Sequence, residues 1–333
     1  MQMTQPLIVV TGAAGMIGSG AVRHLNNLGH QNLLLVDDLK KGEKWKNLLG
    51  KQFVDLISRS QIFEWLKGRD DEVDAFIHLG ACSDTTEMDG DYLLENNFRF
   101  TIRLAEWALK RKKRFIYASS AATYGDGSCG FSDNVAELET LRPLNMYGFS
   151  KHLVDLWMKR EGVLDQVVGL KYFNVFGPNE YHKGKMASMV LKMTHKANDE
   201  GTIGLYKSNE PKRFANGDQC RDFIYLKDAV RMTCAFLEPR YRQTAGIFNI
   251  GYGQPTTWNQ LATALFQALS KPAHILYIDM PPELNRQYQN YTCADMRKTH
   301  KIFSTDPKII QMTPIKESVH EYVREYLLRH VGW

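Results

Sequence analysis

Short runs of apolar, mostly β-branched or leucine residues alternate along the chain with longer stretches in which apolar residues recur every three or four positions. The short runs predict strands and the longer stretches predict helices. Because the runs are continuously apolar, we expect strands that are buried on both faces of a parallel sheet. The predicted strands are residues 7–10, 33–36, a weaker 52–56, 75–79, 115–118 and 167–173. The predicted helices are residues 17–28, 92–110 and 147–160.

The order of these elements places helical stretches between strands. This alternation predicts an α/β fold with right-handed crossovers, a doubly wound parallel sheet of the Rossmann type. In such folds ligands bind beyond the carboxyl ends of the strands. The loops that follow the predicted strands are therefore where a functional site is expected.

Three glycines, Gly12, Gly15 and Gly18, follow the first predicted strand and open the first predicted helix. Gly12 permits a tight turn, Gly15 lets the backbone approach a pyrophosphate, and Gly18 lets the helix pack closely on the strand. The helix start offers free N–H groups and a positive dipole end to phosphates. In this strand–turn–helix context the spacing predicts a dinucleotide site rather than a plain glycine turn.

Asp37 ends the second predicted strand, about 20 residues past the glycines, where an acidic side chain can bind the adenosine ribose of NAD. Four cations follow it: Lys40, Lys41, Lys44 and Arg59. Cations near this position can instead hold the 2′-phosphate of NADP. Residue chemistry therefore leaves NAD and NADP both open, and a solvated loop explains the lysines equally well.

After Gly177 the pattern becomes less regular, and turn-rich segments interrupt short helices and strands. We expect residues 1–175 to form an NAD(P)-binding Rossmann domain and residues 176–333 to form mainly a smaller α+β substrate-binding domain. Segments near 222–250 are expected to return to the first domain, with residues 248–250 joining its sheet.

Tyr147 and Lys151 form a Y-x-x-x-K pattern at the start of a predicted helix. Residues four apart share one helix face, and an ammonium group beside a phenol lowers the pKa of that phenol. Tyr147 is therefore a candidate general base, and Lys151 a candidate donor to a nicotinamide ribose. Just upstream, the fifth predicted strand ends in hydroxyl-bearing residues. We take Ser120 as the group that orients a substrate oxygen, with Ser119 and Thr123 as alternatives.

Composition excludes several classes of protein. The 333 residues are 44% hydrophobic and 24% charged, as in folded globular proteins. No apolar run approaches the roughly 20 residues of a membrane span. The five scattered cysteines form no C-x-x-C pair, and the net charge of +5 is spread along the chain. We expect a cytoplasmic protein that binds no metal, no nucleic acid and no membrane.

The glycine loop, the Ser120 segment and the Tyr147/Lys151 pattern resemble the extended short-chain dehydrogenase/reductase family. More narrowly, the A-C-S-x-T-T-E and H-K-G-x-M-A-S patterns are similar to those of the ADP-L-glycero-D-manno-heptose 6-epimerases. The segments that carry this resemblance are residues 80–90, 172–178, 182–188, 221–223 and 286–289. It implies NADP as the cofactor, a cytoplasmic homo-oligomer, in this family a pentamer, and a role in making the heptose precursor of bacterial lipopolysaccharide.

The same resemblance implies two sets of contact residues. With the three glycines, the cofactor would be contacted by Met16, Ile17, Asp37, Asp38, Lys44, Arg59, Leu79, Gly80, Ala81, Cys82, Ser83, Asn96, Lys151, Val175 and Lys183. An ADP-heptose would be contacted by Ser83, Asn174, Lys185, Lys192, Phe214, Ala215, Asn216, Gly217, Arg221 and Tyr288. The chain departs from the family pattern at four positions, Asp84, Asn179, Lys185 and Lys192, where serine, arginine and smaller or less basic residues are usual.

The implied reaction breaks and remakes a non-acidic C–H bond at C6 of the heptose, which an oxidised nicotinamide makes possible by taking the hydride. Tyr147 or Lys183 would take the hydroxyl proton, and Lys183 is either the second acid/base or a phosphate-contacting lysine. Arg221 would clamp the substrate diphosphate bidentately. The alternative for Arg221 is a structural ion pair with Asp222 or another carboxylate.

Rival functions share the scaffold. A UDP-hexose 4-epimerase would use the same groups, whereas a dehydratase usually needs an acidic pair beside the catalytic hydroxyl, and Ala121-Ala122-Thr123 offers none. A non-catalytic nucleotide-sensing protein would keep the fold but tends to lose the tyrosine or the lysine. Both are present here, which favours an enzyme.

Overall fold

The structure is a computed structural model that describes residues 6–285 and 288–333. Its strands are β1 (Leu7–Thr11), β2 (Leu33–Val36), β3 (Asp55–Ile57), β4 (Val73–His78), β5 (Arg114–Ser120), β6 (Val167–Tyr172), β7 (Asn174–Phe176), β8 (Ile203–Tyr206), β9 (Cys220–Arg221), β10 (Phe223–Tyr225), β11 (Gly246–Ile250), β12 (Thr256–Thr257) and β13 (Ile275–Ile278). Its α-helices are α1 (Met16–Asn27), α2 (Ile62–Trp65), α3 (Gly90–Leu93), α4 (Phe100–Lys110), α5 (Met146–Arg160), α6 (Met189–Asp199), α7 (Leu226–Ala235), α8 (Trp258–Leu269), α9 (Pro282–Asn285), α10 (Arg297–Ile302) and α11 (Ile315–Glu321). Two π-helical stretches, Leu94–Arg99 and Tyr322–Leu327, join α3 to α4 and extend α11.

Seven parallel strands form the central sheet, in the order β11-β6-β5-β4-β1-β2-β3. Strand order reverses between β1 and β4, because the chain first builds outward through β2 and β3 and then returns to the other side. A crevice opens at such a reversal beyond the carboxyl ends of the strands. The predicted doubly wound parallel sheet is confirmed, with its helices packed on both faces.

The predicted boundaries differ from the observed ones mainly at the edge of the sheet. Residues 52–56 were predicted as the third strand, but β3 begins at Asp55 and pairs with residues 34–36 of β2. Phe53, which carried the apolar signal, packs against the core from outside the ladder. A half-buried edge strand has a weak apolar pattern, because one of its faces meets solvent.

Strand β11 comes from far along the chain and completes the sheet. It pairs with β6 from Gly246–Val168 to Ile250–Tyr172, and all of its residues are buried. Helix α7 packs on α1, where a Cβ atom at Gly20 would lie 3.2 Å from Val230 Cγ1. The region between residues 226 and 250 therefore builds part of the sheet layer, and residues 248–250 lie at its edge.

A second core lies under the C-terminal elements. It joins α6, α8 and α11 to the parallel pair β8–β13, with Val190, Leu265 and Tyr322 fully buried in it. These elements form the smaller α+β part that was expected after residue 176. Within the described residues, no helix has both the length and the apolar character needed to cross a membrane.

Candidate active site

The glycine loop between β1 and α1 is built around close backbone contacts. Gly12 has a φ of +65°, and a Cβ atom there would lie 2.7 Å from the backbone nitrogen of Gly80. A Cβ atom at Gly18 would lie 2.1 Å from the carbonyl oxygen of Gly12. Helix α1 begins behind Gly15, so no side chain caps its first N–H groups. The loops after β1 and β4 thus touch through their backbones and leave the helix start open to a ligand.

A cleft of about 740 Å³ opens at this reversal of strand order, beyond the ends of β1, β2 and β4. The predicted cofactor residues that line it are Gly12, Gly15, Met16, Ile17, Gly18, Asp37, Asp38, Lys44, Arg59, Leu79, Gly80, Ala81, Cys82, Ser83, Asn96, Lys151 and Lys183. Val175 does not line the cleft and lies on β7. The structure therefore brings residues from seven separate parts of the sequence around one cavity.

Paired charges mark the end of the cleft beyond β2. The carboxylate of Asp37 accepts hydrogen bonds from the Ala14 N–H at 2.8 Å and from Lys44 at 2.5 Å. Asp38 forms an ion pair with Arg59 at 3.5 Å and accepts its backbone N–H at 3.0 Å. Both carboxylates are thus partly neutralised by the chain's own cations. Lys40 and Lys41 also line this end, which gives it a positive excess.

The start of α5 carries Tyr147 and Lys151 into the cleft. The helix begins at Met146, where the Asn145 side chain accepts a hydrogen bond from the Gly148 N–H at 2.8 Å. Tyr147 hydrogen-bonds with the Ser120 hydroxyl at the end of β5. Lys151 is 2% exposed, and its ammonium group has no hydrogen-bond or ion-pair partner in the described part of the chain. An unpaired buried cation at a cleft wall is suited to hydroxyls of a bound ligand.

Burial sets the pKa values of this pair. It lowers the pKa of Lys151 to about 8, against the opposing charge of Asp155 one turn along α5. Burial also raises the pKa of Tyr147, while the hydrogen bond with Ser120 lowers it. The prediction that the pKa of Tyr147 is lowered by Lys151 is wrong for the protein without ligands, in which the pKa of Tyr147 is raised. The desolvation of the phenol outweighs the other contributions.

The three candidate hydroxyls at the end of β5 have different partners. Ser119 donates to Asp155 at 2.7 Å, and Thr123 accepts a hydrogen bond from Lys171 at 2.5 Å. Asp155 and Lys171 form a fully buried ion pair at 3.0 Å, so both alternative hydroxyls belong to a structural network beneath the site. Ser120 alone among the three is bonded to Tyr147. This geometry favours Ser120 over Ser119 and Thr123.

Lys183 reaches the same cleft from a short 3₁₀-helical loop, Tyr181–Met186. Gly184, with a φ of +50°, bends the loop directly after it. Burial lowers the pKa of Lys183, and the nearby charge of Glu180 opposes that shift. The ammonium group has no hydrogen bond or ion pair with another described residue. Lys183 and Tyr147 thus place two candidate acid/base groups, an ammonium and a phenol, on one cleft.

Two departures from the family pattern are partners in the structure. The ammonium group of Lys185 lies 3.1 Å from Asp84 and donates to Thr86 at 2.7 Å. Lys192 in turn donates to the backbone oxygen of Lys185 at 2.5 Å. The acid at position 84 and the base at position 185 thus tie the loop after β4 to the loop of Lys183. Because these cations are already partnered, their predicted contact with a substrate stays a prediction.

Arg221, on β9, lies in an aromatic pocket. Its guanidinium group lies 5.1 Å from the ring of Tyr288 and 5.8 Å from that of Trp258. Burial lowers the pKa of Arg221. Asp222 does not pair with it, because the Asp222 carboxylate accepts the backbone N–H groups of residues 252, 253 and 294. No carboxylate lies within 4.0 Å of Arg221 among the described residues, so the alternative of an Arg221–Asp222 ion pair is wrong.

The other predicted substrate residues lie near Arg221 in the sequence or beside its strand. Asn174 donates from its side chain to the backbone oxygen of Asp222 at 3.1 Å. The loop before β9 carries Phe214, Ala215, Asn216 and Gly217, and Asn259 of α8 holds it by donating to the Asn216 oxygen at 2.9 Å. Tyr288 lies beside the Arg221 guanidinium group. Arg286 and Gln287, from the family-like segment of residues 286–289, lie outside the described residues.

Sequence reasoning missed polar residues that shape the cleft from below. His78 is buried between the hydroxyls of Thr11, at 2.6 Å, and Thr101, at 2.8 Å. Burial lowers its pKa to about 3, so it is neutral at pH 7. Asn47 donates to the backbone oxygens of Ala14 and Asn179, both at 2.9 Å. His78 lies within the predicted strand of residues 75–79, and nothing in the local sequence singles out Asn47.

Comparison with known proteins agrees with this site. Residues 8–251 match the NAD dependent epimerase/dehydratase family. The ADP-L-glycero-D-manno-heptose-6-epimerase of Nitratidesulfovibrio vulgaris is 46% identical over 323 residues, which cover 96% of this chain and 98% of that protein. The protein of that name from Fusobacterium nucleatum is 41% identical over 97% of this chain and 98% of its own length. The crystal structure of Helicobacter pylori ADP-L-glycero-D-manno-heptose-6-epimerase superposes with a TM-score of 0.77 at 26% identity, covering 96% of both chains.

These matches settle the class of protein first: the chain belongs to the NAD dependent epimerase/dehydratase family, and within it to the group of the ADP-L-glycero-D-manno-heptose-6-epimerases. It is accordingly an enzyme of the isomerase type that uses a nicotinamide cofactor.

Proposed function

We propose that this protein interconverts ADP-D-glycero-D-manno-heptose and ADP-L-glycero-D-manno-heptose by transient oxidation at C6. The observation that carries the proposal is the meeting of Tyr147, Ser120 and Lys151 with Lys183 around one glycine-lined cleft. Relatives above 40% identity over nearly the whole chain carry the name of this activity, which supports the choice of substrate.

The residues of the cleft are suited to a nicotinamide dinucleotide. The backbones at Gly12 and Gly80 lie so close together that a Cβ atom on either residue would push the two loops apart. The uncapped start of α1 offers N–H groups to phosphates. The buried Lys151 ammonium supplies a donor for ribose hydroxyls. When bound, the nicotinamide supplies the oxidising equivalent that removes hydride from C6 and returns it to either face.

The chain's own groups then handle the proton. Ser120 positions the C6 oxygen next to Tyr147, and the positive charge of Lys151 at the same wall favours the charged form of the phenol once the substrate has excluded water. Lys183 is the second acid/base. It exchanges the proton of the C6 oxygen when that oxygen has turned away from Tyr147. Either group takes the proton in one direction and returns it in the other.

Arg221 is the proposed clamp for the substrate diphosphate. It is a buried guanidinium with aromatic neighbours and no carboxylate partner in the described chain. A planar fork of donors matches two phosphate oxygens. Tyr288, beside it, supplies a hydroxyl and a ring face to the same ligand.

NADP is the proposed cofactor, with NAD as the alternative. Asp37 is neutralised by Lys44 and by the Ala14 N–H, which weakens its repulsion of a 2′-phosphate. Arg59, Lys40 and Lys41 line the same end of the cleft and offer positive charge. Heat-denaturing the purified protein and identifying the released nucleotide by mass spectrometry checks the assignment, and release of NAD alone would contradict it.

The family resemblance also supports a homo-oligomer, five subunits in this family, in the cytoplasm. Residues 1–175 with the returning segment 222–250 are the proposed NAD(P)-binding domain, and the remainder is the proposed substrate domain. Analytical ultracentrifugation of the full chain tests the assembly, for which a monomer at micromolar concentration is the contrary result.

The test of the function is direct. Purified protein is incubated with ADP-D-glycero-β-D-manno-heptose, and the configuration at C6 is followed by NMR. We expect a mixture of the two epimers to form. UDP-glucose is the matched control substrate, and its conversion to UDP-galactose with no change in the heptose would favour a UDP-hexose 4-epimerase. No turnover of either sugar would favour a nucleotide-sensing protein.

A further inference from the structure

Three consecutive residues just before Lys183 are each fastened to one distant stretch of chain. Asn179, Glu180 and Tyr181 all hydrogen-bond with residues 322–333, which we call the seat segment. The partners stand between 142 and 154 positions further along the sequence. The loop of Lys183 is therefore held by the seat segment in addition to its contacts with other parts of the chain.

Asn179 forms the first fastening. It is fully buried and adopts a φ of +72°, a left-handed backbone conformation that asparagine adopts more readily than most non-glycine residues. Its side-chain oxygen accepts the Trp333 N–H at 2.8 Å, and its nitrogen lies 3.3 Å from the Trp333 oxygen. Lys51 donates to that same oxygen at 2.6 Å. A Cβ atom at Gly332 would lie 2.8 Å from the Asn179 side-chain oxygen, so the fit is close.

Glu180 forms the second fastening and also closes the loop. Its carboxylate is fully buried and accepts the Ser188 N–H at 2.5 Å, the Ser188 hydroxyl at 2.6 Å and the Tyr322 hydroxyl at 2.9 Å. Residues 180 and 188 thus meet across the base of the loop. Because a buried carboxylate is costly unless its oxygens are bonded, these contacts hold one another in place.

Tyr181 forms the third fastening. Its hydroxyl lies 2.9 Å from the Tyr326 oxygen and 3.0 Å from the Val331 oxygen, and it shares one proton between them. The ring is 38% exposed, so the contact serves position rather than core packing. Within the loop itself the backbone forms short-range turns, in which the Lys183 N–H donates to the Glu180 oxygen and the Ala187 N–H donates to the Gly184 oxygen. Such a turn does not fix its own orientation.

We propose that the seat segment positions Lys183 for proton transfer, and that Tyr181 and Glu180 are the positioning residues through which it acts. This inference rests on the proposed function, in which Lys183 is an acid/base group. It assigns a role in the reaction to Glu180, which does not line the cleft, and to Tyr181, which lines the cleft but whose hydroxyl is bonded to the seat segment. Loss of any one of these hydrogen bonds lets the Lys183 ammonium group occupy a wider range of positions. Turnover then falls, while the affinity for the cofactor is kept.

The test variant is Tyr181→Phe, which removes one hydroxyl and keeps the ring. We expect kcat for epimerisation to fall about fivefold to tenfold, the effect of losing one shared hydrogen bond. The dissociation constant for the dinucleotide should stay within about twofold of the wild-type value. Tyr277→Phe is the matched control, because the hydroxyl of that exposed tyrosine bonds Asn259 at 3.0 Å, far from this loop in sequence. The control should keep the wild-type kcat.

A second readout needs no activity. Trypsin cleaves after Lys183 and Lys185, and local opening of the loop sets the rate of cleavage in the native protein. We expect Tyr181→Phe to raise that rate several-fold and Tyr277→Phe to leave it unchanged. If both the cleavage rate and kcat are unchanged, the seat segment does not hold the loop. If cleavage is faster but kcat is unchanged, the seat segment holds the loop but does not position Lys183 for catalysis.

A double variant separates positioning from general weakening. Where Lys183→Met retains measurable turnover, adding Tyr181→Phe should cause no further loss, because the group that the tyrosine positions is gone. A further loss equal to that seen in the wild-type background contradicts the proposal. Failure of the proposed function is distinguishable, since then the wild-type protein does not convert ADP-heptose at all, and the cleavage rates alone decide whether the seat exists.

Discussion

Two walls of the cleft are held by different means. The wall made by the glycine loop and the Gly80 loop is fixed by backbone contacts between β1 and β4, which are neighbours in the sheet. The wall that carries Lys183 is a short turn fastened by side chains to residues 322–333. The first wall has no room for an extra carbon atom, whereas the second depends largely on side-chain bonds to partners that are distant in sequence. We therefore expect cofactor binding and proton transfer to depend on different parts of the fold.

The largest expected effect asks which wall performs the chemistry. Tyr147→Phe removes the phenol hydroxyl, and we expect kcat to fall about 10³-fold, the usual size for loss of a general acid/base. Folding and bound dinucleotide should be retained, as measured by circular dichroism and nucleotide content. Tyr92→Phe, another tyrosine that lines the cleft, should change kcat far less. Turnover at the wild-type rate in Tyr147→Phe would contradict the assignment of Tyr147 as an acid/base group and would leave Lys183 as the sole base.

The next effect tests the rigid wall by placing the same change at two positions of α1. Gly18→Ala puts a Cβ atom 2.1 Å from a backbone oxygen, whereas at Gly20 it meets side-chain methyl groups at 3.2 Å. Both variants gain about 1 kcal/mol of helix propensity. We expect Gly18→Ala to lose about 1–3 kcal/mol of unfolding free energy in urea and to bind dinucleotide weakly. Gly20→Ala should remain near wild type, and equal losses at the two positions would break the comparison.

A pH effect of intermediate size comes from beneath the rigid wall. The pKa of His78 is about 3 in the folded protein, below its unfolded value of 6.5. As pH falls below 6.5 the unfolded chain takes up the proton first, so stability is lost progressively down to pH 3. The slope approaches 1.4 kcal/mol per pH unit, or about 2 kcal/mol between pH 6.5 and 5. In His78→Gln this loss should be absent, as measured by urea unfolding at the two pH values. Parallel curves for wild type and variant would show that His78 is not neutral when folded.

The smallest expected effect concerns the choice of cofactor. Arg59→Ala removes a partly exposed cation from the end of the cleft beyond β2. We expect the dissociation constant for NADP to rise about tenfold, while that for NAD changes little, because only NADP carries the 2′-phosphate. Tryptophan fluorescence titration with each nucleotide measures both. An equal change for the two cofactors would assign Arg59 a structural role through its pair with Asp38.

The glycine-loop wall could be predicted from the sequence, whereas the contacts that hold the Lys183 wall could not. The glycine loop, the strand ends and the Tyr147/Lys151 helix start are local patterns, in which each residue lies within a few positions of the partner that explains it. The sequence therefore predicted the sheet, and most of the residues that it assigned to a cofactor lie around one cleft. The fastening of Asn179 to Trp333 joins residues 154 positions apart, and no local pattern encodes such a pair.

The errors have physical causes of the same kind. Arg221 and Asp222 are adjacent and opposite in charge, so an ion pair was a natural alternative, but neighbouring residues of a strand point to opposite faces. Asp222 instead bonds three backbone N–H groups from later in the chain. The pKa of Tyr147 was predicted from its helical neighbour alone, although its burial is decided by elements on all sides.

The position of β11 has a consequence for how this protein is made. Strand β6 is buried throughout, yet the residues of β11 that pair with it lie 78 positions later in the chain, as the Val168–Gly246 and Gly169–Ile247 pairs show. During synthesis the nascent chain therefore presents a fully formed apolar strand with an open edge until residue 250 has left the ribosome. A fragment that stops near residue 175 would keep that edge open permanently, so it should aggregate or recruit chaperones rather than fold alone.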